Sequence, residues 1–162
     1  MDTLSKSERS ARMSLVRSTD TKPELLVRRL VHGLGYRYRL HVPKLPGRPD
    51  IVFPRMRKVI FVHGCFWHRH PRCHLARLPK SKLSFWVPKL TLNRRRDVLN
   101  IRRLRHAGWQ VEVIWECQIE GPELLQSTIA MMFGAKRWTI WRGEWTRDWQ
   151  VERGVGDAKV VE

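Results

Sequence analysis

Residues 59–73 read VIFVHGCFWHRHPRC, and the character of the chain changes halfway through them. Val59, Ile60, Phe61 and Val62 make an apolar, β-branched run suited to a buried strand, and the run gives out at Gly64. The rest of the stretch is dense in chemistry: His63, His68 and His70, Cys65 and Cys73, and the adjacent pair Phe66 and Trp67. Side chains at the end of a strand are held more firmly than those on a free loop. The functional centre is expected here.

On the N-terminal side, Ile51–Phe53 reads as a short buried strand and PRMRK (54–58) as a basic hairpin turn. Before them, PKLPGRPD (43–50) is a turn rich in proline and glycine. Tyr36 to Val42 alternates aromatic or apolar residues with basic ones, as a half-exposed strand should. Thr21 followed three residues later by Glu24 is a capping box, with Pro23 tolerated in the first turn. Leu26, Val27, Leu30, Val31 and Leu34 then recur at helical spacing, and Gly33 and Gly35 mark the helix end.

On the C-terminal side, a helix is expected from about Ser84 to His106. Pro88 falls in its first turn, Val98, Ile101 and Leu104 on its inner face, and Gly108 just beyond its end. WQVEVIW (109–115) alternates as a strand and delivers Cys117 at its tip. A last helix runs from Gly121 through Phe133. Strands interleaved with helices predict an α/β or α+β domain around a mixed central sheet. The chain divides into a basic arm (1–19), a domain (20–134) and a tail (135–162). The tail holds Trp138, Trp141, Trp145 and Trp149, and is read as packing these aromatics onto the domain.

A chain of 162 residues fits one domain with a real core. Its 32 Lys+Arg against 15 Asp+Glu give a net charge of +17, which points to a polyanionic partner, most often nucleic acid. The basic residues are spread along the chain, which argues against a membrane-surface helix, and no apolar run is long enough to span a bilayer. The segment MDTLSKSERSARMSLVRS lacks the apolar stretch of a signal peptide. Three cysteines leave one over from any intramolecular disulfide scheme. A reducing, cytoplasmic setting with thiolates used as ligands is therefore expected. Cys65, His70 and Cys73 are spaced C-x4-H-x2-C, and Cys117 can return as a fourth ligand. Three thiolates and an imidazole make a closed, structural zinc site with no open position for catalysis.

The strings PGRPD (46–50), FVHGCFWH (61–68) and WEC (115–117) together resemble the very short patch repair (Vsr) DNA mismatch endonucleases, over about residues 5 to 133. The resemblance implies a restriction-endonuclease-like fold of the PD-(D/E)xK type. It implies a Mg2+-dependent enzyme that nicks duplex DNA 5′ to the thymine of a T:G mismatch, with structural Zn2+. Other mismatch-repair proteins are candidate partners, and a monomer is expected because one mismatched strand has no two-fold symmetry.

Carried onto this sequence, Asp50 matches the metal-binding aspartate and Val62 the residue whose main-chain carbonyl is a metal ligand. His68 matches the histidine that activates water, His63 a second active-site histidine, and Glu24 a glutamate that orients water on the metal. Cys65, His70, Cys73 and Cys117 match the zinc set. Met13, Phe66, Trp67 and Trp86 match apolar side chains that wedge into the base stack.

The acid-x-lysine signature of the wider nuclease fold is absent after Phe61, where histidines stand. Asp50 can also be read as closing a turn, and Glu24 as a capping residue alone. Two other functions compete: a zinc-stabilised nucleic-acid-binding module that does not cut, and a restriction-type nuclease acting on matched duplexes.

Overall fold

The computed structural model describes residues 7–8, 19–119 and 121–133. Met13 and the tryptophan tail lie outside the described residues, as does most of the basic arm. Helix α1 (Lys22–Gly33) begins at the expected capping box. Thr21 Oγ1 accepts from the Glu24 amide at 3.5 Å, while the Glu24 carboxylate accepts from the Asp20 amide at 3.0 Å and the Thr21 hydroxyl at 2.8 Å. These bonds satisfy amides that the first helical turn leaves without partners.

Strands β1 (Arg39–Leu40), β2 (Ile51–Phe53), β3 (Lys58–His63) and β4 (Gln110–Trp115) form one sheet in the order β1-β2-β3-β4. The first two pairings are antiparallel and β3–β4 is parallel, with Val62 opposite Ile114 and His63 opposite Trp115. A parallel pair needs a long crossover, and helix α2 (Leu83–His106) supplies it. Among the described residues two helices follow β4: α3 (Glu116–Ile119) and α4 (Pro122–Phe133).

The apolar runs of β2 and β3 are covered on both faces, which is why they do not alternate with polar residues. On one face Val27, Leu30 and Val31 of α1 and Leu125 and Ile129 of α4 pack on Ile51, Phe53, Ile60, Val62 and Ile114. On the other, Leu104 of α2 packs on Val52, Val59 and Phe61, with Ile101 and Trp109 beside them.

Three expectations shift. The strand read over 36–42 shrinks to Arg39 and Leu40, both exposed. Tyr36 and Tyr38 instead set their rings edge-on against Phe53. Pro88 lies inside α2 beyond its first turn, because the helix begins at Leu83. Val98 does not face inward. It is 52% exposed, while Leu90 and Leu104 are fully buried. The inward stripe is Leu90, Asn93, Asp97, Asn100, Ile101 and Leu104, at helical spacing. It is half polar because it faces the turn before β2 and the histidine loop. Arg94, Arg95, Arg96, Arg102, Arg103 and Arg105 are all exposed on α2. Among the described residues no helix is long and apolar enough to cross a membrane.

Candidate functional site

Asp50 is set by its turn. Gly47 and Arg48 take left-handed backbone angles (φ 75° and 48°), and a Cβ on Gly47 would lie 3.0 Å from the Asn100 side chain of α2. Only glycine fits so close an approach without displacing its neighbour. The turn delivers Asp50 to the start of β2, where Oδ2 accepts the Val62 amide of β3 at 2.7 Å. Burial pushes the Asp50 carboxyl up to about 6, against the pull of the Val62 amide; the Glu24 charge adds to the rise, and His41 and Arg28 oppose it.

One residue further along β3 the chemistry changes from carboxylate to imidazole. His63 is buried and its ring stacks on His68, with centroids 3.9 Å apart and planes 7° apart. Burial, with the neighbouring His68, lowers His63 to about 4, so its ring is neutral at physiological pH. His68 Nδ1 stands 2.6 Å from Asp97 Oδ2 on α2. The carboxylate accepts, so the proton sits on Nδ1 and the Nε2 lone pair is left for another proton. Asp50 and the imidazoles are thus joined through β3: Val62 meets the carboxylate, and His63 opens the stack.

The loop after β3 is pinned from several sides. The His68 amide donates to the Gly64 carbonyl, the His70 amide to the Cys65 carbonyl, and Asn93 Nδ2 reaches the Trp67 carbonyl at 3.5 Å. Phe66, Trp67 and Trp86 are half-buried and meet one another with centroids 5.1 to 6.0 Å apart. Lys89 Nζ lies over Trp67 and Trp86 at 5.8 and 5.5 Å.

Cys65, His70, Cys73 and Cys117 converge, with ligand atoms all within 4.8 Å of one another. His70 Nδ1 is 3.6 Å from Cys65 Sγ and 3.3 Å from Cys117 Sγ. Tetrahedral zinc bonds of ~2.0–2.3 Å would place ligand atoms roughly 3.3–3.8 Å apart, so this donor set fits such an ion. Burial, with thiol crowding, pushes Cys65 up to about 12 and also raises Cys117, while burial lowers His70. A soft cation would reverse the thiol penalty and hold them as thiolates. Cys117 lies in the first turn of α3, two residues past the end of β4 at Trp115. The Cys65 amide donates to Glu116 Oε2 at 3.2 Å, and the His70 ring stacks on Trp115.

Three residues at the centre were not legible in the sequence. Asp97 is the sole carboxylate of the arginine-rich helix 83–106, and that isolation was the available signal. Arg28 lies four residues after Glu24, the spacing of a helical ion pair, and donates to Glu24 Oε2 at 2.9 Å. His41, which looked like part of an alternating strand, sits with Nδ1 3.9 Å from Asp50 Oδ1.

Comparison with known proteins gives the class. The family model described as DNA mismatch endonuclease Vsr matches residues 1–75. The chain is 48% identical over 128 residues to the type II nicking enzyme V.XorIIP of Xanthomonas oryzae, covering 79% of this chain and 93% of that protein. It is 38% identical over 128 residues to the type II nicking enzyme V.NmeAIP of Neisseria meningitidis, covering 79% and 91%. It is 41% identical over 124 residues to the DNA mismatch endonuclease Vsr of Escherichia coli, covering 76% and 79%. The strongly basic mixed α/β domain is therefore a DNA endonuclease. More narrowly, the chain belongs to the Vsr family of DNA mismatch endonucleases, whose restriction-endonuclease-like fold agrees with the mixed four-stranded sheet.

Proposed function

We propose that the chain nicks duplex DNA on the 5′ side of the thymine in a T:G mismatch, by Mg2+-dependent hydrolysis of the phosphodiester. The observation that carries this reading is the placing of Asp50 on the Val62 amide, one residue from the stack of His63 on His68 and Asp97. Asp50 and the Val62 carbonyl are hard oxygen donors suited to Mg2+, and a buried carboxylate gains from a cation beside it. Magnesium, when bound, supplies charge neutralisation at the phosphate and the leaving oxygen.

The remaining work falls to the chain itself. His68, its Nδ1–H held by Asp97, takes a proton from water through Nε2. His63, neutral through burial, backs the His68 ring and keeps a second positive charge out of the stack. Glu24 Oε1 accepts from the Thr21 hydroxyl and retains a lone pair to orient water. Phe66, Trp67 and Trp86, with Met13, wedge into the base stack, a step that costs less at a mispair. The Cys65, His70, Cys73 and Cys117 set holds structural Zn2+, and the exposed arginines of α2 meet phosphates. The enzyme acts as a monomer in the cytoplasm.

The test is nicking of one labelled T:G duplex beside its T:A counterpart, with magnesium and with chelator. Cutting of the T:G duplex alone, lost with chelator and with Asp50→Ala, is expected. The competing reading is action on a matched site. Equal cutting of both duplexes would support that reading and overturn the mismatch one.

A further inference from the structure

Behind Asp50 lies a second polar layer, of which the reaction described above uses only Glu24. Its centre is Arg28, only 7% exposed on the inner side of α1. One terminal nitrogen (Nη1) donates to Asp20 Oδ1 at 2.5 Å; the other (Nη2) donates to Glu24 Oε2 at 2.9 Å and meets His41 Nε2 at 3.0 Å. The grouping of Asp20, Glu24 and His41 has metal-ligand spacing, but the Arg28 guanidinium already supplies the cation there.

A guanidinium has donors and no acceptor. His41 Nε2 must therefore accept, and the proton of the neutral ring must sit on Nδ1. That nitrogen is the one facing Asp50 Oδ1, at 3.9 Å, while Asp50 Oδ2 is fixed by the Val62 amide. One carboxylate oxygen is tied to β3; the other has, among the described residues, the His41 Nδ1–H facing it at a charge–dipole distance longer than a hydrogen bond, and Arg28 dictates that this N–H is there.

The backbone is bent to achieve this. His41 comes directly after β1, whose two residues are exposed, and takes a left-handed conformation with φ 45°. Few residues other than glycine adopt that region, and where they do the surrounding structure holds them there. The bend leaves the His41 ring between Arg28 and Asp50. Arg28 Nε is also buried, with no hydrogen-bond partner among the described residues. The guanidinium is thus placed by its two terminal nitrogens at the expense of the third, as expected if their contacts fix its position.

We propose that Arg28 and His41 are positioning residues for Asp50: Arg28 selects the Nδ1–H tautomer of His41, and that N–H orients the free oxygen of the carboxylate for a divalent cation. The inference rests on the reading of Asp50 as the metal-holding carboxylate. Removing such outer partners of a metal ligand weakens metal affinity by roughly 10- to 100-fold.

The test uses the full chain with its zinc retained and Mn2+ alone as the probe. Imidazole 15N spectra of the wild type are expected to show His41 as the Nδ1–H tautomer; an Nε2–H ring would overturn the proposal. His41→Ala is expected to weaken Mn2+ binding by about tenfold or more, and to raise the Mg2+ concentration for half-maximal nicking without changing the saturating rate. His41→Asn is expected to restore both, because its amide N–H can take the place of Nδ1–H and asparagine tolerates the left-handed backbone. Wild-type Mn2+ binding by His41→Ala, with binding abolished by Asp50→Ala, would sink this inference alone. Mn2+ binding and nicking that survive Asp50→Ala would instead remove the reading of Asp50 on which it rests.

Discussion

Asp97 on α2 reaches 2.6 Å from Nδ1 of His68, so the crossover helix and the histidine loop share one hydrogen bond at the centre of the site. That bond fixes the imidazole tautomer and its orientation, as carboxylates do for catalytic histidines elsewhere. It also couples the arginine-bearing helix to the position of the His68 ring.

If the pair works as a unit, Asp97→Asn keeps the shape and reverses the tautomer. Single-turnover nicking should fall by ~10²–10⁴ with duplex affinity unchanged. His68→Ala should fall similarly, and the double variant should be no slower than the worse single one, because groups acting as a unit are not additive. Additive losses in rapid-quench measurements would argue for two independent roles.

Asp50 and His63 give folding stability opposite pH slopes. The Asp50 carboxyl is raised from its ordinary value to about 6, so its contribution is present at low pH and is lost as pH rises through about 6. His63 is lowered to about 4, so its contribution is present above the ordinary histidine range and is lost as pH falls through about 4. Asp50→Asn keeps an acceptor for the Val62 amide and removes the first slope. Without added magnesium it should be more stable than wild type by ~3 kcal/mol at pH 8, with the gap closing by pH 4. Urea unfolding at the two pH values checks this, and a gap that does not change with pH would contradict it.

Zinc retention should be as strict as the ligand geometry suggests. The purified chain should carry one equivalent of zinc by elemental analysis. Cys117→Ser should lose it, destabilise the fold by several kcal/mol and abolish amide-exchange protection in the loop after His63. Full protection in the zinc-free variant would show that hydrogen bonds such as Cys65 to Glu116 suffice to hold the loop.

The rotation of α2 makes a sharp contrast between two apolar residues. Leu104→Ala should cost about 2–5 kcal/mol, because its side chain is fully buried against Val52, Val59 and Phe61. Val98→Ala should change stability by less than about 0.5 kcal/mol, because Val98 is 52% exposed. Comparable losses in chemical denaturation would mean that the helix is turned the other way.

Much of this molecule is written locally. The capping box at Thr21 and Glu24, the apolar runs of β2 and β3 and the alternation of β4 each depend on neighbours a few residues away. The C-x4-H-x2-C spacing of Cys65, His70 and Cys73 is just as local. Local propensity and periodicity therefore place these elements and three of the four zinc-type ligands directly, while Cys117 is brought to them by the parallel pairing of β3 and β4. The motif around His63 and His68 likewise carries its family resemblance in consecutive residues. Which groups surround Asp50 and His68 is a different kind of question. Asp97 faces inward only because of how α2 is rotated across the sheet, and its stripe is too polar for a hydrophobic pattern to reveal. Arg28 and His41 meet only because a left-handed residue ends β1 opposite α1. Those contacts join residues far apart in the chain, and packing geometry, which no short stretch encodes, brings them together.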